Sequence, residues 1–395
     1  MLNGTRWVKR AGVLPLLSAA VAFVGLFWLL VQTRPERLRD LPPVEFPVAC
    51  RNGCIVTLGR ASNRLQGLPV AGGSSRTLAP HFGTAGTLRA TFPTDLGLVI
   101  RSEEQEASPG FGARNPFQFW PPRQRARLWE VALDGQPARE LLPGLRMTQA
   151  VASGEYCYWL SLGSASAVAG KDARPAGAFP LRTGELRVTP LHGGGFRRIA
   201  AGIPPFAHLE PLGRGVSWSV LRPGTLRGDR YLALPPDFQV HVVMDCSGTP
   251  EQLGDRVYWF DQRSASVPGA PSHPELKLES ATVDGEQRRE LLDLVDSPLW
   301  EARGRVLGVH QGKLYALLYR RSMKSGSPER PVLCEIRDDS VRELAPLRAG
   351  AGFTWLERGY LYYTVLEMRE NWLDWSKQGL AAKRAQVLYR TRLPG

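Results

Sequence analysis

Short apolar runs separated by turns, rather than long helical periodicities, organise this chain. A glycine followed by an apolar, aromatic-rich stretch recurs: GLVIRS, GEYCYWL, GVSWSVL, GDRVYWF, GKLYALL and GYLYYTV begin at Gly97, Gly154, Gly215, Gly254, Gly312 and Gly359. Runs of this length and composition, bounded by turn residues, predict strands buried on both faces. A hairpin pattern follows. RLWEVALDGQPARELL (127–142) and KLESATVDGEQRRELL (277–292) align without gaps, sharing Leu128 with Leu278, Asp134-Gly135 with Asp284-Gly285, and Arg139 to Leu142 with Arg289 to Leu292. Weaker copies keep the spacing at Leu191, Arg197 and Ile199, and again at Ile336, Arg342 and Leu344. Strand, tight turn, strand is the physical reading. A further short segment before each glycine, as in 148–153, 206–212 and 353–357, makes the unit four-stranded. Its period, roughly 50 residues, is that of a propeller blade.

The last copy, LYRTRLPG (388–395), stops at the turn where the copy at 128–135 continues into a return strand. Arg76 and Leu78 follow Gly72 at the spacing by which Arg139 and Leu141 follow Gly135. Residues 74–79 are therefore expected to pair with 387–393, so that an N-terminal strand closes the ring and removes a free edge. Six such phrases predict six blades within 68–395, with 32–67 as a linker and N-terminal extension. The unit at 230–244 is the most irregular, since Pro235-Pro236-Asp237 stands where other hairpins carry glycine. The aromatic strand with Tyr158-Trp159 or Tyr258-Trp259, followed by its hairpin, resembles the six-bladed propellers of the TolB and YWTD (lipoprotein-receptor) type. That resemblance implies an all-β six-bladed propeller and no particular activity, because propellers host many functions.

One segment does not fit a blade. Residues 11–31, AGVLPLLSAAVAFVGLFWLLV, form an uncharged run that spans about 30 Å as a helix, the thickness of a bilayer core. Cleavage at Ala20-Val21-Ala22 would make it a signal peptide but would leave FVGLFWLLV at the new terminus, so an uncleaved transmembrane anchor is the expectation. Arg6, Lys9 and Arg10 place residues 1–10 in the cytoplasm and the propeller outside it, in a periplasmic or extracellular location. Arg34, Arg37 and Arg39 on the other flank weaken that orientation.

Composition narrows the chemistry. The 395 residues, 41 Gly and 32 Pro suit a turn-rich β protein, and the net charge of +13 is spread thinly. No Lys/Arg block with interleaved aromatics points to nucleic acid; a basic surface facing anionic envelope polymers or lipid head groups is the milder inference. Cys50 and Cys54 in CRNGC would close a small disulfide loop in an oxidising compartment, while Cys157, Cys246 and Cys334 read as small buried hydrophobes. No haem, zinc or phosphate-binding pattern appears, and no cofactor is expected.

Candidate binding residues fall in the connections between second and third strands, which swell at 103–125, 161–184, 262–275, 321–330 and 367–385 and should emerge on one face. The first mixes Phe111, Phe117, Phe119 and Trp120 with Arg114 and Arg123, residue types enriched at interface hot spots. The last, with Trp372 and Trp375 three apart, reads as a short amphipathic helix over 368–385. Acidic residues recur before the glycine of the second strand at Asp95, Glu210, Glu251 and Glu357. They are either a carboxylate ring able to support hydrolysis or bind a cation, or structural strand-end residues. The expectation is a membrane-anchored binding or scaffolding module for another envelope or membrane protein, against two alternatives: an envelope glycan hydrolase or lyase acting in the funnel, and a ligand or peptide sensor.

Overall fold

The computed structural model describes residues 35–41, 45–59, 64–79, 86–94, 97–105, 124–134, 136–145, 147–162, 184–204, 207–221, 228–246, 248–265, 273–295, 300–322, 330–337, 340–369 and 383–394. They form seven four-stranded antiparallel sheets, one more than the six expected. Strand β1 (Glu36–Leu41) precedes the first blade, which comprises β2 (Glu45–Arg51), β3 (Cys54–Gly59), β4 (Leu65–Pro69) and β5 (Arg76–Ala79). The second blade holds β6 (Gly86–Thr94), β7 (Gly97–Gln105), β8 (Gln124–Val131) and β9 (Arg139–Leu141). The third holds β10 (Gln149–Ser153), β11 (Tyr156–Leu162), β12 (Gly184–Pro190) and β13 (Arg197–Ile203), and the fourth β14 (His208–Leu212), β15 (Gly215–Leu221), β16 (Gly228–Ala233) and β17 (Val240–Val243). In the fifth are β18 (Glu251–Leu253), β19 (Arg256–Ala265), β20 (His273–Thr282) and β21 (Arg289–Val295); in the sixth, β22 (Trp300–His310), β23 (Lys313–Ser322), β24 (Arg330–Arg337) and β25 (Ser340–Pro346). The seventh runs β26 (Ala351–Glu357), β27 (Tyr360–Arg369) and β28 (Lys383–Arg392), and takes β1 as its outermost strand.

The missed blade is the first. It has the expected glycine and apolar run, Gly53 followed by CIVTLG, but no aromatic in its second strand, a lack it shares with GLVIRS of the second blade, and no Asp-Gly hairpin after it. Its strands are also short, and the first two lie wholly in the stretch read as linker, while the fourth is the one read as closing the ring. Residues 74–79 consequently do not close the ring: Arg76 and Leu78 belong to β5, which pairs with β4 of their own blade. Closure by an N-terminal strand does occur, through β1, with Glu36 opposite Arg390 and Leu41 opposite Gln386.

Each seam between neighbouring blades holds an apolar cluster, and strand alternation explains the YW phrase. Tyr258 packs toward the sixth blade with Leu314, Ala316 and Ile336. Its neighbour Trp259 packs toward the fourth with Leu212, Leu232 and Val243. A second strand thus fills two seams with one aromatic pair. The closing seam joins Leu41, Tyr362 and Leu388 to Cys50, Ile55 and Leu68 of the first blade. Gly285 shows why the Asp-Gly turn recurs: its φ is +86°, and an added Cβ would lie 2.1 Å from the Val242 carbonyl oxygen of the fourth blade. Gly285→Ala is expected to lower stability by about 1–3 kcal/mol, read from urea unfolding.

All five cysteines are free and buried. The Cys50–Cys54 loop is a two-residue β-turn with Cys50 opposite Ile55 and Cys54 opposite Arg51, so the two thiols point to opposite faces of the hairpin. Among the described residues no helix is long and apolar enough to cross a membrane. Residues 11–31 lie outside the described residues.

Candidate functional site

Strand direction sorts the connections onto two faces. Turns between first and second strands and between third and fourth strands form one, here the turn face. Connections between second and third strands, and between blades, form the other, the loop face. The enlarged segments expected from sequence do join second to third strands. The strands run further into them than expected: β7 continues to Gln105, β19 to Ala265, and β27 to Arg369, so both ends of the helix expected at 368–385 are strand. Phe111, Arg114, Phe117, Phe119, Trp120, Arg123, Trp372 and Trp375 all lie outside the described residues.

The recurring carboxylates are resolved in part. Asp95 lies outside the described residues; Glu210 stands near enough to Glu251 to act on its charge, and Glu357 has partners of its own at the closing seam. Glu210, on the innermost strand of the fourth blade, accepts a 2.6 Å bond from Arg230 Nη1 and a 3.2 Å bond from Thr249 Oγ1. Arg230 is itself buried and donates through Nη2 to the Gly248 carbonyl at 2.8 Å. Gly248 and Thr249 lead into the fifth blade, so this network ties one blade to the next.

Glu357 does the same at the closing seam, on the turn face. It is buried, with Arg51 Nη1 at 3.5 Å from Oε2 and the Asn52 amide donating to Oε1 at 2.9 Å. Both partners come from CRNGC of the first blade, a stretch whose sequence suggested a disulfide. No sequence signal marked Arg51, Arg230 or Thr249: the partners of Arg51 and Thr249 lie in other blades, and Glu210 meets Arg230 from two strands away in their own blade. Uncharged groups stitch further seams: Thr91 Oγ1 donates to Val48 O at 2.7 Å, and Gln149 receives Leu209 N at 3.0 Å while donating to Ala207 O at 2.6 Å.

Glu251 differs. It sits on the innermost strand of the fifth blade, partly covered, and burial pushes its carboxyl from the ordinary 4.5 to about 7; Arg305 opposes the shift and Glu210 adds to it. The folded chain therefore holds this proton where the unfolded chain releases it. The resulting stability is full below pH 4.5 and is lost as pH rises through about 7. The melting temperature is expected to fall between pH 5 and pH 8 by more in the parent than in Glu251→Gln.

Two further features bear on chemistry. A cavity of about 480 Å³ opens on the turn face between the third, fourth and fifth blades, lined by Glu155, Arg214, Pro235, Pro236 and Gln252. Glu155 and Arg214 pair across it, so its charges are internally balanced. Burial raises the thiol pKa values of Cys50 and Cys246 to about 12, and raises that of Cys157, which leaves these groups unreactive thiols. Among the described residues no group of three His, Cys, Asp or Glu side chains is placed to hold a metal ion.

No protein-family description matches the sequence, and no curated protein does. Solved structures do match in fold. An oligogalacturonate lyase from Vibrio parahaemolyticus is similar over 91% of this chain and 97% of its own, at 10% identity and a TM-score of 0.51. The β-propeller domain of the trilobed protease from Pyrococcus furiosus is similar over 72% of this chain and 80% of that one, at 14% identity and a TM-score of 0.44. A putative TolB from Agrobacterium tumefaciens is similar over 64% and 82%, at 15% identity and a TM-score of 0.35. At these identities the likeness is one of fold, that of a β-propeller.

Proposed function

We propose that this propeller is a membrane-anchored, extracytoplasmic binding or scaffolding module that engages another protein of the cell envelope or of a membrane complex through its loop face. The supporting observation is the asymmetry of the ring. The longest connections, 106–123, 163–183 and 370–382, all join second to third strands and so share one face, while the opposite face is built of short turns. Long loops on a rigid ring are where binding resides. The carboxylates Glu210 and Glu357 are committed to bonds that hold neighbouring blades together. Replacing Phe117, Phe119 and Trp120 with Ser should abolish capture of the partner by crosslinking in membranes and leave the melting temperature nearly unchanged. Loss of stability with capture intact would make these aromatics part of the core instead.

A second reading, a hydrolase or lyase acting on an envelope glycan, draws on Glu251 alone. A carboxyl that keeps its proton near neutral pH is suited to general acid chemistry. Release of new glycan ends by the parent, lost in Glu251→Gln at unchanged stability, would favour that reading over the first.

A further inference from the structure

We infer that the turn face of the propeller lies against the lipid surface and that the loop face points away from it. The inference rests on the reading of 11–31 as a membrane anchor and adds to it the direction of β1. Strand β28 runs from the loop face at Lys383 to the turn face at Arg392, where the Leu393 amide bonds the Gly359 carbonyl of the turn before β27. Since Glu36 pairs with Arg390 and Leu41 with Gln386, the chain enters the ring at the turn-face rim of the seventh blade.

Only residues 32–35 separate the apolar run from Glu36. Fully extended, that spacer reaches about 17 Å. The ten residues of β27 then carry the loop face about 30 Å further from the rim. A ring held this closely by its turn-face edge cannot present its loop face to the same bilayer without turning over on a tether shorter than the blade.

The turn face has a surface suited to head groups. The turn between β12 and β13 presents Phe196, 58% exposed and set edgewise against Trp159, next to the exposed Arg197 and Arg198. An aromatic beside arginines is the composition found at membrane interfaces. Exposed Arg76, Arg358 and Arg392 lie on the same face. Asp134, Asp237 and Asp284 share it, so electrostatic attraction is modest and the tether sets the geometry.

The test uses the full chain in vesicles of phosphatidylcholine with one quarter phosphatidylglycerol, some carrying a nitroxide on the head group. Ser74→Cys and Phe196→Cys mark the turn face and Leu366→Cys the loop end of the seventh blade; each is labelled with a polar fluorescent maleimide, from which the five native thiols are shielded by burial. Quenching several-fold stronger at 74 and 196 than at 366 is the expected result. Equal quenching at all three sites, or stronger quenching at 366, in protein that floats with the vesicles overturns the orientation and leaves the anchor standing. A chain that does not float overturns the anchor, and the orientation with it.

Discussion

Excising residues 36–41 from the full chain is expected to lower the unfolding free energy by about 7 kcal/mol. Leu41 is 3% exposed and packs against Ile55 and Leu68 of the first blade as well as Leu388 of the seventh. Burying one leucine contributes roughly 1.5–3 kcal/mol, and Leu38 adds a smaller share. The five residue pairs between β1 and β28 carry ladder bonds worth about 1 kcal/mol each, net of water. Glu36 also holds Arg390 through two bonds, at 2.7 and 3.1 Å, that leave with the strand. Beyond the lost energy, β28 becomes an unpaired edge, a template for pairing with another chain. Urea unfolding should show an earlier midpoint, and light scattering should show association at concentrations where the parent stays dispersed. A variant that melts like the parent would mean that β1 does not close the ring.

Arg230→Met should cost about 3 kcal/mol, the second largest effect expected of a small change. Its guanidinium is 5% exposed and its partner Glu210 21% exposed, so removing the cation leaves a largely covered carboxylate without its main counter-charge. The Gly248 carbonyl loses its donor as well. If Glu210 is a structural pin, the double variant Arg230→Met with Glu210→Leu should recover most of the loss, because cation and carboxylate leave together and Glu251 loses a like-charged neighbour. Equal losses in the single and double variants, measured by urea unfolding, would show that Glu210 is not what Arg230 serves.

How much of this was legible in the sequence depends on where each interaction lies. Five blades were readable from aromatic second strands, because one strand fills two seams and can place Tyr and Trp in adjacent positions such as 258 and 259; the second blade, with Val99 and Ile100 instead, was readable from the hairpin at 127–142 that follows it. The first blade fills the same role with Ile55 and Val56, residues common in any strand, and so it passed for linker. That omission also misassigned closure. Arg76 and Leu78 carry the fourth-strand spacing, but β5 completes its own blade, and the closing strand ERLRDL lacks the glycine four residues before its arginine that would betray its partner.

The candidate site was legible only as loop positions, since loop lengths follow from strand spacing while side-chain convergence does not. The spacing of Glu210 and Glu357 was visible; that each bonds the following blade was not. Thr249, Arg51 and Asn52 are brought to them by the packing of one blade on the next, Arg230 meets Glu210 across the fourth blade itself, and the partners of Glu357 lie more than 300 positions away in the chain.

The most direct test of a seven-bladed ring closed by Glu36–Leu41 is a cysteine crosslink. Glu36 and Arg390 stand opposite each other across an antiparallel pair, where Cα atoms are about 4.5–5.5 Å apart. With Glu36→Cys and Arg390→Cys, mild oxidation followed by peptide mapping should recover a 36–390 disulfide in the folded chain. The pair Arg76→Cys and Arg390→Cys should stay reduced, because Arg76 lies on the outer strand of the neighbouring blade. A 76–390 disulfide in place of a 36–390 one would contradict the seventh blade, the role of β1 and the path by which the chain enters the ring.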